Sequence, residues 1–594
     1  ATDGETGSIE ITDIGDGPPA AGVTGAVSIG KANTASLTLD GTRYNTDGTT
    51  IYEAVAGSGS IKLTGANVSI TTDNDALTFD AGNIVLSTAG TTTIGTGGGA
   101  LQIDGTIDGT SSQAENLTIT TGAGSLTIGG TIGGTNPLTT LSIAGSGAGA
   151  IDLAGIGDSD TAGATGTTTV GNTTTTTLTL SGTIYKTDDS QTYVAKTGQN
   201  IDITDAATFT TTNDAVAFNT AGVDLINGNA GGAHTITVDT GTGAGAVTFG
   251  GAIESDGGDD ETLTITSGTG TVTFTGALGA TQELGGLNVN ASSGNGIITF
   301  TGAIGDTNAP QAGVIGTSNI GNTATTRIDL DGGLYSFDGT TTFETTSGET
   351  VAVGATVTVE NTANSLSFSG GDINLDNGAN LTVSTNGGAI TVNGIYGVSS
   401  ETVSINANHS GGDGSSTAET VNITGNIGNA DEILSVAVTG RDGITLTGGG
   451  SGITIDTADD TNPNISFTGP VTVSGGVTVT SDNSSNDGTL GFSSTIDGAG
   501  GTDNLTIQSG TGALTLSGTI GVTAALDALS INTTAGSTAA ISLLNLGDAG
   551  NEGSGTTNIG NASTSNMTFA GTYFRTAGDL TVTTASGAGK IDFS

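Results

Sequence analysis

Apolar and polar residues alternate with a period of two in short runs along the whole chain. Ser36-Leu37-Thr38-Leu39, Leu178-Thr179-Leu180, Val272-Thr273-Phe274 and Val477-Thr478-Val479-Thr480 are representative. The runs are rich in Thr, Val and Ile and are bounded by Gly, Asn and Asp. They predict short β-strands with one buried face. No stretch holds the period of an amphipathic helix, because glycine and β-branched residues interrupt every candidate.

The strands recur at a fixed step. The pattern apolar-x-apolar-x-Gly-x-Ile begins at Leu101 and Leu126, and a shorter form begins at Ile151, a spacing of 25 each time. The trio returns at Val247, Val272 and Ile298, and again at Leu490, Leu514 and Ile541. A second motif opens each larger unit: Ile29-Gly30-Lys31 leads to Leu37-Thr-Leu39-Asp-Gly41-Thr-Arg43-Tyr44. Its later copies start at Val170, Ile320 and Ile559 and carry Tyr185, Tyr335 and Phe574 at the last position. These copies divide the chain into residues 1–28, the end of a preceding unit; 29–169; 170–319; 320–558, longer by about four coils; and 559–594, the start of a further unit.

A step of about 25 residues without helices predicts an all-β, right-handed parallel β-helix (β-solenoid), with roughly three strands per coil and coils about 4.8 Å apart. At that step the chain holds roughly 24 coils. Val, Ile, Leu and Phe face inward, Thr and Ser outward, and Gly and Asn take the corners. Tandem β-sandwich domains are the alternative, but they leave three evenly spaced copies inside each unit unexplained. The register also argues against disorder, which an acidic chain with few aromatics otherwise invites.

Composition narrows the function. The 9 basic and 57 acidic residues of this 594-residue chain give a net charge of −48, which argues against a nucleic-acid partner. No run approaches 18 apolar residues, so no membrane insertion is expected. Cysteine is absent, histidine is limited to His234 and His409, and aromatics at 4% argue against a core built on large rings. Most acidic residues fall in turns or outward positions such as Asp40, Asp104, Asp152 and Asp329. Their summed field is expected to govern the approach of neighbouring molecules rather than folding.

Candidate chemistry is sparse. Asp16, Asp158, Asp306 and Asp548 follow glycine at equivalent places and are weak calcium candidates; the competing reading is an Asx turn. No other cofactor is expected. Asn45-Thr46-Asp47 and Gly258-Asp259-Asp260 would supply carboxylates for polysaccharide hydrolysis, yet roughly eight coils separate the two motifs. The arginines Arg43, Arg327, Arg441 and Arg575 are scattered. Tyr44, Tyr185 and Tyr335 are read as rings covering a widened coil, with wet hydroxyls, rather than as an exposed sugar-stacking ladder.

Val272-Thr-Phe274-Thr-Gly276-Ala-Leu278-Gly279 and Ile298-Thr-Phe300-Thr-Gly302-Ala-Ile304-Gly305 resemble the Gly/Thr-rich repeats of large bacterial surface exoproteins, among them filamentous-haemagglutinin-like adhesins and autotransporter passengers. The resemblance implies a secreted β-helical stalk at the cell surface. The expected function is a non-enzymatic extracellular fibre, sheath or stalk whose copies self-associate end to end or laterally. An adhesin stalk that binds cells or glycans is the alternative, and a polysaccharide-active enzyme is the weakest reading.

Overall fold

The computed structural model describes residues 7–15, 22–111, 114–145, 149–219, 221–225, 234–256, 261–290, 293–306, 312–362, 364–398, 400–408, 419–429, 432–458, 463–482 and 487–594. Among these there is no helix. Parallel strands stack into a β-solenoid of about 21 turns with about 25 residues per turn. The chain divides into two compact units, Ala1–Gly302 and Ala303–Ser594.

Within unit 1, Leu101 pairs with Leu126, and Leu126 with Ile151, in parallel register. All three side chains are buried. Val247, Val272 and Ile298 form the same kind of column, as do Leu490, Leu514 and Ile541 in unit 2. Tandem sandwiches are thereby ruled out. The turns are fewer than the spacing alone predicts because some coils carry excursions. Val383 stacks on Ile405 after a short step, but the next step of that column, from Ile405 to Val438, is half as long again.

A full turn has three strands, and in some turns the second face is reduced to a single bridge residue such as Ile132 or Ile156. In unit 1, Leu77–Asp80, Asn83–Leu86 and Gly90–Thr96 define a first, second and third face, and Leu101–Ile103, Ile107–Asp108 and Glu115–Thr121 repeat them one turn later. Alternation then decides burial. Leu101 and Ile103 are inward and Gln102 outward, so one residue type per face does the packing.

The aromatic residues are few but aligned. Behind the third face, Tyr193, Phe218, Phe249, Phe274 and Phe300 stack at centroid distances of 5.3, 4.9, 5.5 and 4.8 Å, within 16° of parallel. Phe209 meets Tyr193 and Phe218 edge-on from the second face. The expectation of a core without large rings is therefore corrected. In-register stacking brings together rings that the sequence holds a whole coil apart. In unit 2, Phe343–Phe368 and Phe467–Phe492 repeat the arrangement at 4.9 and 4.7 Å.

The opening motif builds a corner. Gly30, Gly171, Gly321 and Gly560 all have positive φ, between 76° and 93°. A Cβ at each would lie 2.0 to 2.3 Å from a carbonyl oxygen of the next coil. Only glycine meets both conditions. Four residues on, Thr34, Thr175, Thr325 and Thr564 are fully buried. Each hydroxyl accepts the amide of the residue after the glycine at 2.9 to 3.0 Å.

The first two copies do not occupy the same face. Leu37 of the first opening motif begins a second-face column that continues through Ile61, Ile84, Ile107, Ile132 and Ile156 to Tyr185 of the second copy. Leu178, the counterpart of Leu37, instead lies in the first-face column of Ile151. The segment from Leu37 to Leu178 thus advances the chain by a whole number of turns less one face.

Candidate functional site

Two of the calcium candidates, Asp158 and Asp548, lie in turns closed by their own hydrogen bonds. The Asp158 carboxylate accepts the amides of Asp160 and Thr161 at 2.8 and 2.6 Å, and Asp548 accepts those of Gly550 and Asn551 at 2.7 and 2.8 Å. These bonds hold both carboxyls below the usual carboxylate range. A cation from the next coil closes each turn from above: Lys186 Nζ donates to Ser159 O at 2.8 Å, and Arg575 to Asp548 O at 3.0 Å. Asp306 follows Gly305 at the equivalent place in sequence, but the residues after it, 307–311, and Asp16 lie outside the described residues. Among the described residues no three His, Cys, Asp or Glu side chains converge as a metal site would require.

The carboxylate pair considered for hydrolysis, Asp259 and Asp260, also lies outside the described residues, as does His409. Asn45 belongs to a strand and accepts the Thr71 hydroxyl of the next coil at 2.6 Å. Three of the arginines have local partners: Arg327 pairs with Asp329, Arg441 with Glu419 at 3.1 Å and Arg575 with Glu552 at 3.4 Å.

The tyrosine reading needs correction. Tyr44, Tyr185 and Tyr335 are fully buried, hydroxyl included. Tyr185 donates to Leu153 O at 2.8 Å and accepts the Gly182 amide at 2.9 Å; Tyr44 and Tyr335 accept Gly41 and Gly332 at 2.6 and 2.7 Å. A corner without water leaves two backbone groups needing partners, and the phenol supplies them. Burial pushes the Tyr44 hydroxyl up to about 12. In the fourth copy Phe574 has no hydroxyl to offer, while Asn545 accepts the Thr572 and Tyr573 amides as Asp13 accepts those of Thr42 and Arg43 in the first.

A second set of polar residues escaped sequence reasoning. Glu115, Glu261, Glu401, Glu419 and Asp503 are at most 5% exposed. Each opens a segment of one pattern: Glu115-Asn-Leu-Thr-Ile119, Glu261-Thr-Leu-Thr-Ile265, Glu401-Thr-Val-Ser-Ile405, Glu419-Thr-Val-Asn-Ile423 and Asp503-Asn-Leu-Thr-Ile507. At three of them the carboxylate turns back to collect amides of the loop it closes. Glu401 is the fullest case, accepting Val398 N at 2.6 Å, Ser400 N at 3.1 Å, Gly378 N at 2.8 Å and the Ser400 hydroxyl at 3.0 Å. Glu115 accepts Ala114 N and Thr110 N, and Asp503 accepts Gly500 N and Gly475 N. These carboxylates are loop clamps.

The outward surfaces of unit 1 differ in charge. On the first face Asp202 pairs in register with Asp224, and Asp224 with Glu254, stacking three carboxylates on consecutive coils. Partial burial raises Asp202 and Asp224 above the usual range, and the neighbouring Asp224 charge raises Asp202 further. Their ionisation therefore costs folding free energy. The cost is absent below the unfolded carboxyl pKa of about 3.9 and grows as pH rises through the raised folded value. Asp202→Asn is expected to stabilise the protein by about 0.5 kcal/mol at neutral pH, a figure reduced for solvent screening. The gain should vanish near pH 3, as thermal melts at the two pH values will show; equal gains at both would refute it.

A shallow depression in unit 2 is lined by Ser466, Thr468, Gly491 and Ser493 above the Phe467–Phe492 pair. It exists because Gly491 interrupts an outward column between Ser466 and Thr515. No titratable side chain lines it. Compared with family models, curated proteins and solved structures, the chain matches none.

Proposed function

We propose that the protein is a non-enzymatic structural element of an extracellular fibre, sheath or cell-surface stalk, in which copies of the chain associate with one another. The observation that supports this reading is the parallel ladder that runs coil after coil in each unit over an interior filled by Ile, Leu, Val and Phe side chains. Every added turn repeats the same backbone hydrogen bonds and the same inward column, so the architecture provides extent and stiffness. The polar side chains described above are engaged in closing that backbone: turn aspartates, corner threonines, buried tyrosines and clamp glutamates all bond main-chain groups. The extracellular placement rests on the Gly/Thr-rich repeats and their resemblance to bacterial surface exoproteins.

Electron microscopy of native material tests the proposal. Filaments, bundles or sheaths are expected. Dispersed single particles that release reducing or unsaturated sugars from acidic polysaccharides would overturn it.

A further inference from the structure

The third face of unit 1 begins with Arg43–Thr46, which carries the exposed Arg43, and Ser69–Thr72. It continues through nine consecutive strands, from Gly90–Thr96 to Ile297–Phe300, each paired in parallel with the next, and these nine are the part of the face at issue. Along its centre the outward residues stack in register. Thr118 lies on Ser142, Ser142 on Thr169 and Thr169 on Thr192; beyond Ala217, Thr248 lies on Thr273. The only charged residue within these nine strands is Glu115, and it is buried. The charges nearest to them, among them Asp188, Asp189 and Asp214, lie at the corners beside the strands. In a chain with 57 acidic residues against 9 basic ones, this face is set apart from the first face, with its stacked Asp202, Asp224 and Glu254.

We infer that the third face of unit 1 is the lateral contact surface between two copies of this chain; the inference rests on the self-association proposed above. Two molecules of charge −48 repel wherever carboxylates face each other, and the repulsion is least across a face that carries none. Sheets packed face to face lie about 10 Å apart, close to the screening length of about 8 Å at physiological salt, so charges on the contacting faces would be felt. A second copy also brings the same coil spacing. Threonine methyls and hydroxyls can then interdigitate at every coil instead of falling out of step. Nine strands about 4.8 Å apart and about three residues (about 10 Å) wide present about 400 Å² per copy. That is roughly half of what each partner contributes to a standard stable complex. The contact is accordingly weak between isolated chains and gains strength only through repetition.

Sedimentation of the full chain across a concentration series, at low salt and at about 1 M salt where screening shortens to about 3 Å, tests the inference. Two double variants of equal net charge are compared: Thr169→Glu/Thr248→Glu on the third face, and Thr127→Glu/Thr179→Glu on the first face. Circular dichroism melts verify that both fold. The wild type and the first-face variant are expected to associate at high salt, and the third-face variant to do so at least about tenfold more weakly. If wild type associates and both variants match it, or both lose association equally, the third face is not the contact. If wild type stays monomeric throughout, self-association fails together with this inference. Retention on insoluble cellulose that only the third-face variant loses, without self-association of the wild type, would assign the face to a glycan and overturn the inference.

Discussion

Phe249→Ala is expected to destabilise the protein by about 3–5 kcal/mol, the range for emptying a closed aromatic site. Phe249 is 1% exposed and lies between Phe218 and Phe274 at 4.9 and 5.5 Å, nearly parallel to both. Alanine would remove both ring contacts at once. The backbone cannot close the gap, because the Phe249 strand is hydrogen-bonded to neighbours on both sides. A solenoid spreads stability along its axis, each coil holding only its neighbours. The loss should therefore appear as an earlier and broader urea transition followed by circular dichroism, with the coils near Phe249 melting first. Phe249→Leu, which keeps most of the volume, should cost clearly less. A loss below about 1 kcal/mol for Phe249→Ala would mean that the ring stack contributes little beyond filling space.

The second large effect is expected at Glu401. Glu401→Ala would leave the Val398, Ser400 and Gly378 amides without their acceptor in a corner where the side chain is fully buried. Unpaired buried donors cost about 1–3 kcal/mol each, and loop relaxation toward water recovers part of that, giving about 3 kcal/mol in total. Glu401→Gln should fall between: its amide oxygen can still accept, but its NH2 group faces donors. Hydrogen exchange separates this from a general loss of stability. The Val398 and Ser400 amides should lose protection before their neighbours in the following strand, Thr402–Ala407. Uniform loss across the coil would show that Glu401 supports the packing rather than the loop.

Much of the fold was legible in the sequence because stacking forces equivalent residues to recur at the length of one coil. Leu101, Leu126 and Ile151 announce a column by spacing alone, and parallel pairing carries that column through the structure. The tyrosine hydroxyls were misread because their partners are main-chain groups at a corner: Tyr185 reaches Leu153 O in the preceding coil, and no side-chain pattern marks a carbonyl. The clamps were missed for a different reason. Acidic residues at strand starts were assigned to solvent by type, although the recurrence of Glu/Asp-Asn/Thr-Leu/Val-Thr/Ser/Asn-Ile was available as a signal. The corner threonines, each four residues after the opening glycine, were equally visible and equally overlooked. Composition misled on the aromatics, since a percentage does not tell whether rings share a column.

The displacement of the second large repeat from the first by one face has a consequence for how such a chain can be lengthened. Leu37 and Leu178 are counterparts in sequence but belong to different faces. A duplication of the large unit joins smoothly because the three faces offer interchangeable hydrogen-bonding edges, even though the unit does not close on whole turns. What is given up is phase: between the first copy and the second, a feature carried once per unit moves to a different face. A surface that must stay aligned over such a unit therefore has to be encoded coil by coil, because a feature encoded once per unit changes face.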